Sequence, residues 1–191
     1  MRYAEARREL LEQITRPGTD SRRALVVLTD SWLAELFQAS GAAQLPCALV
    51  AVGGYGRSDL APGSDLDLLL LYQKGTDVSE VAERIWYPVW DGGMRLDHSV
   101  RTSAEARKLA GQDIKVILGL LDARTVAGDS ELTTNLRAGV LTDWRASAHR
   151  RLPELRLDVS ERAERNGELA HLLEPDLKES YGGLRDLTVL R

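Results

Sequence analysis

The stretch Val50-Ala-Val-Gly-Gly-Tyr-Gly-Arg-Ser-Asp-Leu-Ala-Pro-Gly-Ser-Asp-Leu-Asp-Leu-Leu-Leu-Leu-Tyr72 decides the fold. An apolar run over Cys47–Val52 predicts a strand that stops at the glycine pair Gly53-Gly54. A second apolar run, Asp65–Tyr72, predicts another strand that opens with alternating acid and leucine. The order is therefore strand, glycine turn, connecting loop and acidic strand, and this joint order is more informative than any of its parts.

The acidic strand predicts a cation site. Successive side chains of a strand point to opposite faces, so Asp65 and Asp67 share one face while Leu66 and Leu68 share the other. Neighbouring carboxylates repel unless solvent or a cation compensates their charge. A magnesium ion suits this pair because it takes oxygen ligands from carboxylates, phosphates and water.

The glycine turn predicts contacts to phosphate groups. Gly53 and Gly54 let the backbone approach a ligand closely and point amide hydrogens at phosphate oxygens. Arg57 can balance phosphate charge, and the hydroxyl of Ser64 can donate a further hydrogen bond. Other glycine motifs fit poorly, because a dinucleotide fingerprint needs glycine at Asp59 and a P-loop needs a Gly-Lys-Ser/Thr that this sequence lacks.

Composition narrows the class of protein. The chain has 191 residues, of which 43% are hydrophobic and 28% charged, as expected for a globular protein with a sizeable core. The formal net charge of -4 argues against nucleic acid or an anionic membrane as partner. The sequence shows neither a membrane span nor the apolar segment of a signal peptide, so the cytoplasm is the expected compartment. The single cysteine, Cys47, is expected to be a buried thiol.

The remaining patterns are mostly helical. We expect helices over Arg2–Thr15, 21–39, 78–90, after Thr102, over 113–121 and from Ser130 to near Ala146, and a third strand over Met94–Thr102. The segment Gly182–Arg191 reads as the beginning of a helix, which suggests a piece of a longer protein. We divide the chain into an N-terminal helical segment (1–42), a core (43–150) and a C-terminal helical segment (151–191).

These motifs resemble the polymerase-beta-type nucleotidyltransferase superfamily, in which a glycine turn is followed by Asp-x-Asp. Longer strings resemble the bifunctional uridylyltransferase/uridylyl-removing enzymes of nitrogen regulation. The strings are Gly53-Gly-Tyr-Gly-Arg57, Ser64-Asp-Leu-Asp67, Asp97-His-Ser-Val-Arg-Thr102 and Leu173-Glu-Pro-Asp-Leu-Lys-Glu-Ser-Tyr-Gly-Gly-Leu-Arg-Asp186. The resemblance implies an α+β fold, with a small mixed sheet packed by helices and flanked by N- and C-terminal helical segments.

The resemblance also implies an activity. Such enzymes move UMP or AMP from UTP or ATP to a tyrosine of the signal protein PII and release pyrophosphate. By resemblance, Asp65 and Asp67 bridge Mg²⁺ or Mn²⁺ ions, and Asp97 is the third metal ligand and catalytic carboxylate. Family members continue into a hydrolase domain and glutamine-sensing domains that this chain does not include. The choice between UTP and ATP stays open.

Several alternatives remain at this point. Asp97 can instead form an ion pair with Arg95 or Arg101, which alternation places on its own face. Lys178 and Arg185 either reach the nucleotide or anchor the turn that contains them. The chain can also be another polymerase-beta-type transferase, or a nucleotide-binding module without turnover.

Overall fold

A computed structural model describes residues 3–14 and 18–190. The chain forms two compact units that divide between Leu141 and Thr142. The three-segment division expected from the sequence remains a prediction beside these two units.

The described residues contain one mixed sheet, whose strands lie in the order β3-β2-β1-β4. Its strands are β1 (Cys47–Ala51), β2 (Leu66–Tyr72), β3 (Leu96–Thr102) and β4 (Arg124–Gly128). Strand β1 pairs antiparallel with β2 and β4, whereas β2 and β3 are parallel. Parallel neighbours require a crossover connection, and the helix between β2 and β3 supplies it.

The described residues also form eight α-helices. They are α1 (Tyr3–Gln13), α2 (Thr19–Ala39), α3 (Gly53–Gly56), α4 (Ser79–Asp91), α5 (Ser103–Ala110), α6 (Ile114–Leu121), α7 (Ser130–Asn166) and α8 (Leu184–Val189). Short 3₁₀ turns occur at Ala42–Gln44 and Leu169–His171. The small mixed sheet packed by helices, with helical segments at both ends, confirms the expected α+β fold.

Both faces of the central strands are buried. One face joins α2 and α4 in a continuous core that includes Phe37, Leu49, Leu68 and Ile85. The other face holds Ala48, Val50, Leu69 and Leu71, which are also buried. Strand β2 therefore reads as an almost uninterrupted apolar run, as expected for a strand covered on both sides.

The expected cysteine environment is confirmed. Cys47 begins β1 with only 1% of its surface exposed, and its thiol lies 3.4 Å from the carbonyl oxygen of Ala42. Burial raises the pKa of the Cys47 thiol to about 11. The thiol is therefore a protonated core group near neutral pH.

The second unit is organised around a buried arginine. Arg162 of α7 is 4% exposed, donates to the carbonyl oxygen of Glu179 at 2.9 Å and forms an ion pair with Asp186. Asn166 and Ser180 add a hydrogen bond between the end of α7 and the following loop. These contacts fix the loop that carries the Leu173–Asp186 string.

Local sequence signals located several elements correctly. A helix begins after Thr102 as expected, where Thr102 and Glu105 form a capping box at the start of α5, and Asp113 caps α6 by accepting a hydrogen bond from the amide of Lys115. The first expected helix agrees with α1, although its ends at Arg2 and Thr15 lie outside the described residues. The second helix begins at Thr19, two residues before the expected cap at Ser21.

Other elements differ from the expectation. The helix that begins at Ser130 continues to Asn166, well past Ala146, and includes Pro153. The glycine turn forms a single helical turn, α3. Strand β4 was not predicted from the sequence. Pro88 lies in the last turn of α4, which continues to Asp91.

Candidate functional site

Asp67 and Asp97 lie next to each other on adjacent strands. Their Cα atoms are register partners in the parallel ladder between β2 and β3. Register partners in neighbouring strands are about 4.8 Å apart and point to the same face of the sheet. Asp67 is half-buried and Asp97 is exposed. The backbone therefore brings these two predicted ligands together at the same position of the sheet.

Asp65 has a different environment. It precedes β2 and is exposed, and its carboxylate forms an ion pair with Arg95, whose Nε lies 2.6 Å from Asp65 Oδ1. Arg95 also donates to the carbonyl oxygen of Gly63, which ties the loop before β2 to the residue before β3. Arg95 therefore pairs with Asp65, and across residues 3–14 and 18–190 no ion pair to Asp97 is present.

The donor chemistry of this face fits a divalent cation, but the side chains do not form a closed cluster. Within the described ranges, no three His, Cys, Asp or Glu side chains are grouped so that they can hold a metal ion. Asp65 is directed to the guanidinium of Arg95, which supplies the compensating charge. Carboxylate oxygens from Asp67 and Asp97 are the ligand type that Mg²⁺ prefers. Ligation by Asp65, Asp67 and Asp97 together stays a prediction.

The glycine turn lies directly against Asp67. Gly53 has φ +57°, a left-handed conformation that favours glycine, and a Cβ there would lie 3.3 Å from Asp67 Oδ2. The amide of Val52 donates to the carbonyl oxygen of Asp67 at 3.0 Å, which holds the start of the turn on β2. The first amides of a helix have no partner four residues earlier, and phosphate binding by the N–H groups of Gly53 and Gly54 stays a prediction.

Arg57, the predicted phosphate ligand, forms an ion pair. Its Nη1 lies 2.5 Å from Oδ2 of Asp122, the residue that follows α6, and the Arg57 side chain is 17% exposed. The pair links the glycine turn to α6. A role for Arg57 in phosphate binding remains a prediction, and Asp122 is the acid with which a phosphate would compete.

Ser64 belongs to the loop before β2. Its hydroxyl accepts a hydrogen bond from the amide of Ala61 at 3.2 Å, and its own amide donates to the carbonyl oxygen of Ala61 at 3.0 Å. Accepting this bond does not use the hydroxyl proton, so the group keeps its ability to donate. Donation by Ser64 to a phosphate stays a prediction.

Lys178 and Arg185 both lie in the second unit. Arg185 forms a forked ion pair with Glu179, with Nη2 2.5 Å from Oε1 and Nε 2.8 Å from Oε2. This pairing is the anchoring alternative of the sequence analysis. The backbone amide of Lys178 donates to Asp176 at 2.8 Å, and its side chain is exposed. Nucleotide contacts by either residue stay predictions.

The close packing of the backbone around Gly56 was not predicted from the sequence. A Cβ at this position would lie 2.3 Å from the carbonyl oxygen of Asp122 and 3.0 Å from that of Ala51. Only glycine fits where the turn crosses these two backbones. The Gly-Gly-Tyr-Gly spacing was the available signal, because its third glycine is not needed for phosphate contact.

Tyr55 is a core residue. Its ring is 1% exposed, and its hydroxyl donates to Oδ1 of Asp30 at 2.5 Å. This aromatic side chain of the turn therefore covers the core.

Known proteins match this chain over almost its whole length. The bifunctional uridylyltransferase/uridylyl-removing enzyme of Streptomyces coelicolor is 61% identical over 99% of this chain and 23% of the relative. The enzyme of the same name from Mycobacterium tuberculosis is 44% identical over 98% of this chain and 24% of the relative. The chain therefore resembles one segment of these longer enzymes. It spans about a quarter of the length of the curated relatives it matches.

A family model and a solved structure also match parts of this chain. A family model described as GlnD PII-uridylyltransferase matches residues 150–191, in the second unit. The solved structure of a tri-AMPylated Shewanella oneidensis HEPN toxin in complex with MNT antitoxin covers 69% of this chain, with 96% of the matched chain, 11% identity and a TM-score of 0.42. Among the described residues, no helix combines the length and apolar character needed to cross a bilayer.

Proposed function

We propose that this chain transfers UMP from UTP to a tyrosine of the PII signal protein and releases pyrophosphate. The observation that carries the proposal is the position of Gly53 against Asp67, beside Asp97 on the neighbouring strand. A turn with free amides next to oxygen ligands suits a metal-bound triphosphate. Similarity to the uridylyltransferase/uridylyl-removing enzymes supports the same conclusion.

In this mechanism the tyrosine oxygen forms a bond to the α-phosphorus as the bond to the pyrophosphate oxygen breaks, and the phenolic proton leaves to solvent. Asp67 and Asp97 would hold a divalent cation, Mg²⁺ or Mn²⁺, and Asp65 would join them on giving up Arg95. Held there, the cation would neutralise triphosphate charge and lower the pKa of the attacking hydroxyl. The amides of Gly53 and Gly54 bind phosphate oxygens, with Arg57 and Ser64 beside them.

The names of the relatives specify uridylyl transfer, which supports UTP over ATP as the donor. The description of the family model names PII, which supports PII as the acceptor. Lys178 and Arg185 are proposed to contact the nucleotide, and for Arg185 this requires exchange of Glu179 for a phosphate.

The test follows label from the nucleotide to PII. The chain is incubated with PII, Mg²⁺ and α-labelled UTP or ATP, and label on PII is measured. We expect transfer from UTP. Asp67→Asn should lower the rate on the order of a hundredfold or more, because several kcal/mol of charge stabilisation are lost and each 1.4 kcal/mol is a factor of ten.

Asp91→Asn is the matched control, because Asp91 is an exposed acid at the end of α4, away from the glycine turn in the chain. It should leave transfer unchanged. A wild-type chain that binds UTP yet leaves PII unlabelled would contradict transferase activity and favour a nucleotide-binding module. Equal transfer by wild type and Asp67→Asn would contradict the proposed site.

A further inference from the structure

A cluster of three side chains lies behind the glycine turn, apart from the predicted ligands. Arg124 of β4 binds both carboxylate oxygens of Asp30 of α2, with Nη1 2.7 Å from Oδ2 and Nη2 3.1 Å from Oδ1. Tyr55 of α3 donates to the same Asp30 at 2.5 Å. The guanidinium carbon of Arg124 is 5.3 Å from the centre of the Tyr55 ring, within the range of a cation–π contact.

Arg124 also binds the backbone of the turn. Its Nε and Nη2 donate to the carbonyl oxygens of Gly56 and Tyr55, each at 3.3 Å. These are carbonyls at the end of α3, and a helix leaves its last carbonyls without intrahelical partners. A single turn of four residues is too short to be stable alone. Its conformation therefore depends on groups outside it, and Arg124 is one of them.

Burial makes the cluster an effective support. Tyr55 is 1% exposed, and the side chains of Asp30 and Arg124 are 27% and 28% exposed. Burial, together with the charge of Asp30, raises the pKa of Tyr55, so its hydroxyl stays protonated and keeps donating. Hydrogen bonds to a charged, partly buried carboxylate are stronger than those between neutral groups.

We propose that Asp30 and Arg124 are positioning residues for nucleotide binding: they fix the end of α3 so that Gly53 stays against Asp67 and the turn meets the triphosphate. Neither residue touches the nucleotide in this assignment, which rests on the proposed function. The ion pair of Arg57 with Asp122 holds the turn from α6, so two acid–base pairs from different elements support the same four residues.

The alternative is that the cluster only stabilises the fold. Thr29, the neighbour of Asp30 on α2, provides a matched control. Its buried hydroxyl lies 2.9 Å from the hydroxyl of Tyr3 and donates to the carbonyl oxygen of Leu25, so these hydrogen bonds join residues of α1 and α2 only. Thr29→Val keeps the side-chain shape and removes these bonds, so it should lower thermal stability without moving the turn.

The experiment compares wild type, Asp30→Asn, Arg124→Lys and Thr29→Val by two readouts. The first is amide hydrogen exchange of Gly56 and Arg57, which donate to the carbonyls of Val52 and Gly53 at 3.0 and 3.1 Å. The second is the affinity for UTP with Mg²⁺, together with kcat and KM for transfer to PII. Exchange across β2 serves as the internal reference for global destabilisation.

We expect Asp30→Asn to speed exchange in the turn relative to β2 and to weaken UTP binding about ten- to a hundredfold, as loss of a supporting group does elsewhere. The loss should appear mainly in KM. Arg124→Lys keeps the positive charge but loses the paired hydrogen bonds of the guanidinium to Asp30. Its turn exchange and UTP affinity should therefore lie between those of wild type and Asp30→Asn. Thr29→Val should lower the Tm and leave both readouts unchanged.

Unchanged turn exchange and UTP affinity in Asp30→Asn would overturn the inference. An equal loss of UTP affinity in Thr29→Val at matched Tm would also overturn it. If the wild-type chain binds neither UTP nor ATP, the proposed function fails, and the exchange rates still decide whether Asp30 holds the turn.

Discussion

At the scale of single residues, the two acids of the Asp-x-Asp motif are not equivalent. Asp67 is half-buried inside β2 and lies against Gly53, whereas Asp65 precedes the strand and pairs with Arg95. Alternation places both on one face, but the sequence does not reveal that Arg95, the residue before the neighbouring strand, compensates the charge of Asp65. Metal ligation by Asp65 therefore requires an exchange of partners.

Removing Arg95 should make that exchange easier. The Asp65–Arg95 pair is exposed, with 53% and 71% of the two side chains accessible, so it contributes about 0.2 to 1 kcal/mol. We expect Arg95→Gln to lower the Mn²⁺ concentration needed for half-maximal UTP binding by up to about fivefold. Titration calorimetry at fixed UTP measures this shift.

Arg101→Gln tests whether any loss of positive charge on β3 has the same effect. Arg101 lies on the same face of the strand by alternation but forms no part of the Asp65 pair. It should leave the Mn²⁺ requirement unchanged. A higher Mn²⁺ requirement in Arg95→Gln would show that Arg95 assists binding and does not compete for Asp65.

At the scale of elements, α3 is defined by how closely it crosses its neighbours. Gly56→Ala should destabilise the first unit by about 1 to 3 kcal/mol, because the added methyl meets the Asp122 carbonyl oxygen at 2.3 Å and the backbone must shift. Gly63→Ala is the control, since its Cβ meets nothing within 4 Å. Urea unfolding followed by fluorescence compares the two, and equal midpoints would contradict the packing argument.

The loop of the second unit depends on ionised acids. Burial alone would raise the pKa of Asp186, but the bonds from Arg162 and the Gly182 amide outweigh it and hold this pKa below the ordinary 3.8. An acid with a lowered folded pKa stabilises the fold above its unfolded pKa, and that contribution is lost as the pH falls through the folded value. The second unit should therefore lose stability as the pH falls below 3.8.

Hydrogen exchange of peptides from 160 to 190, measured at pH 6 and near pH 3, tests this dependence. Asp186→Asn should make the exchange of this loop fast at pH 6 already and remove most of the acid sensitivity. Glu161→Gln, a change at an exposed acid of α7, should behave as wild type. Equal acid sensitivity in Asp186→Asn and wild type would place the pH dependence elsewhere.

At the scale of the whole molecule, local sequence patterns predicted the helices and strands better than they predicted the contacts between them. The strand that carries Asp67 follows from an apolar run, the strand that carries Asp97 follows from the Gly92-Gly93 turn before it, and the starts of α5 and α6 follow from Thr102 and Asp113. Strand β4 was missed because five residues with no fully buried position give little periodic signal. Two ion pairs support the glycine turn: Arg57 with Asp122, which are 65 positions apart in the sequence, and Arg124 with Asp30, which are 94 positions apart. Pairings over such distances depend on tertiary packing.

Nucleotide binding should stabilise the first unit as a whole. A ligand at about one hundred times its Kd adds roughly 2.7 kcal/mol, which corresponds to a Tm increase of about 5 to 10 °C for a unit of this size. Thermal unfolding with UTP and Mg²⁺ measures the increase, and EDTA or Asp67→Asn should abolish it. A smaller shift with ATP would agree with the assigned donor, whereas a larger one would reverse that assignment.

Strand β3 is an edge strand of the sheet in the described part of the chain, so the backbone groups on its outer side are not paired with another strand of this sheet. Exposed edges of this kind invite aggregation, and charged side chains along them oppose it. Asp97, between Arg95 and Arg101 on one face, supplies such charge as well as a predicted ligand. If Asp97 were replaced by valine, a loss of activity would therefore not distinguish loss of the predicted metal ligand from loss of solubility. Asparagine, being polar and of the same size, is the substitution that separates them.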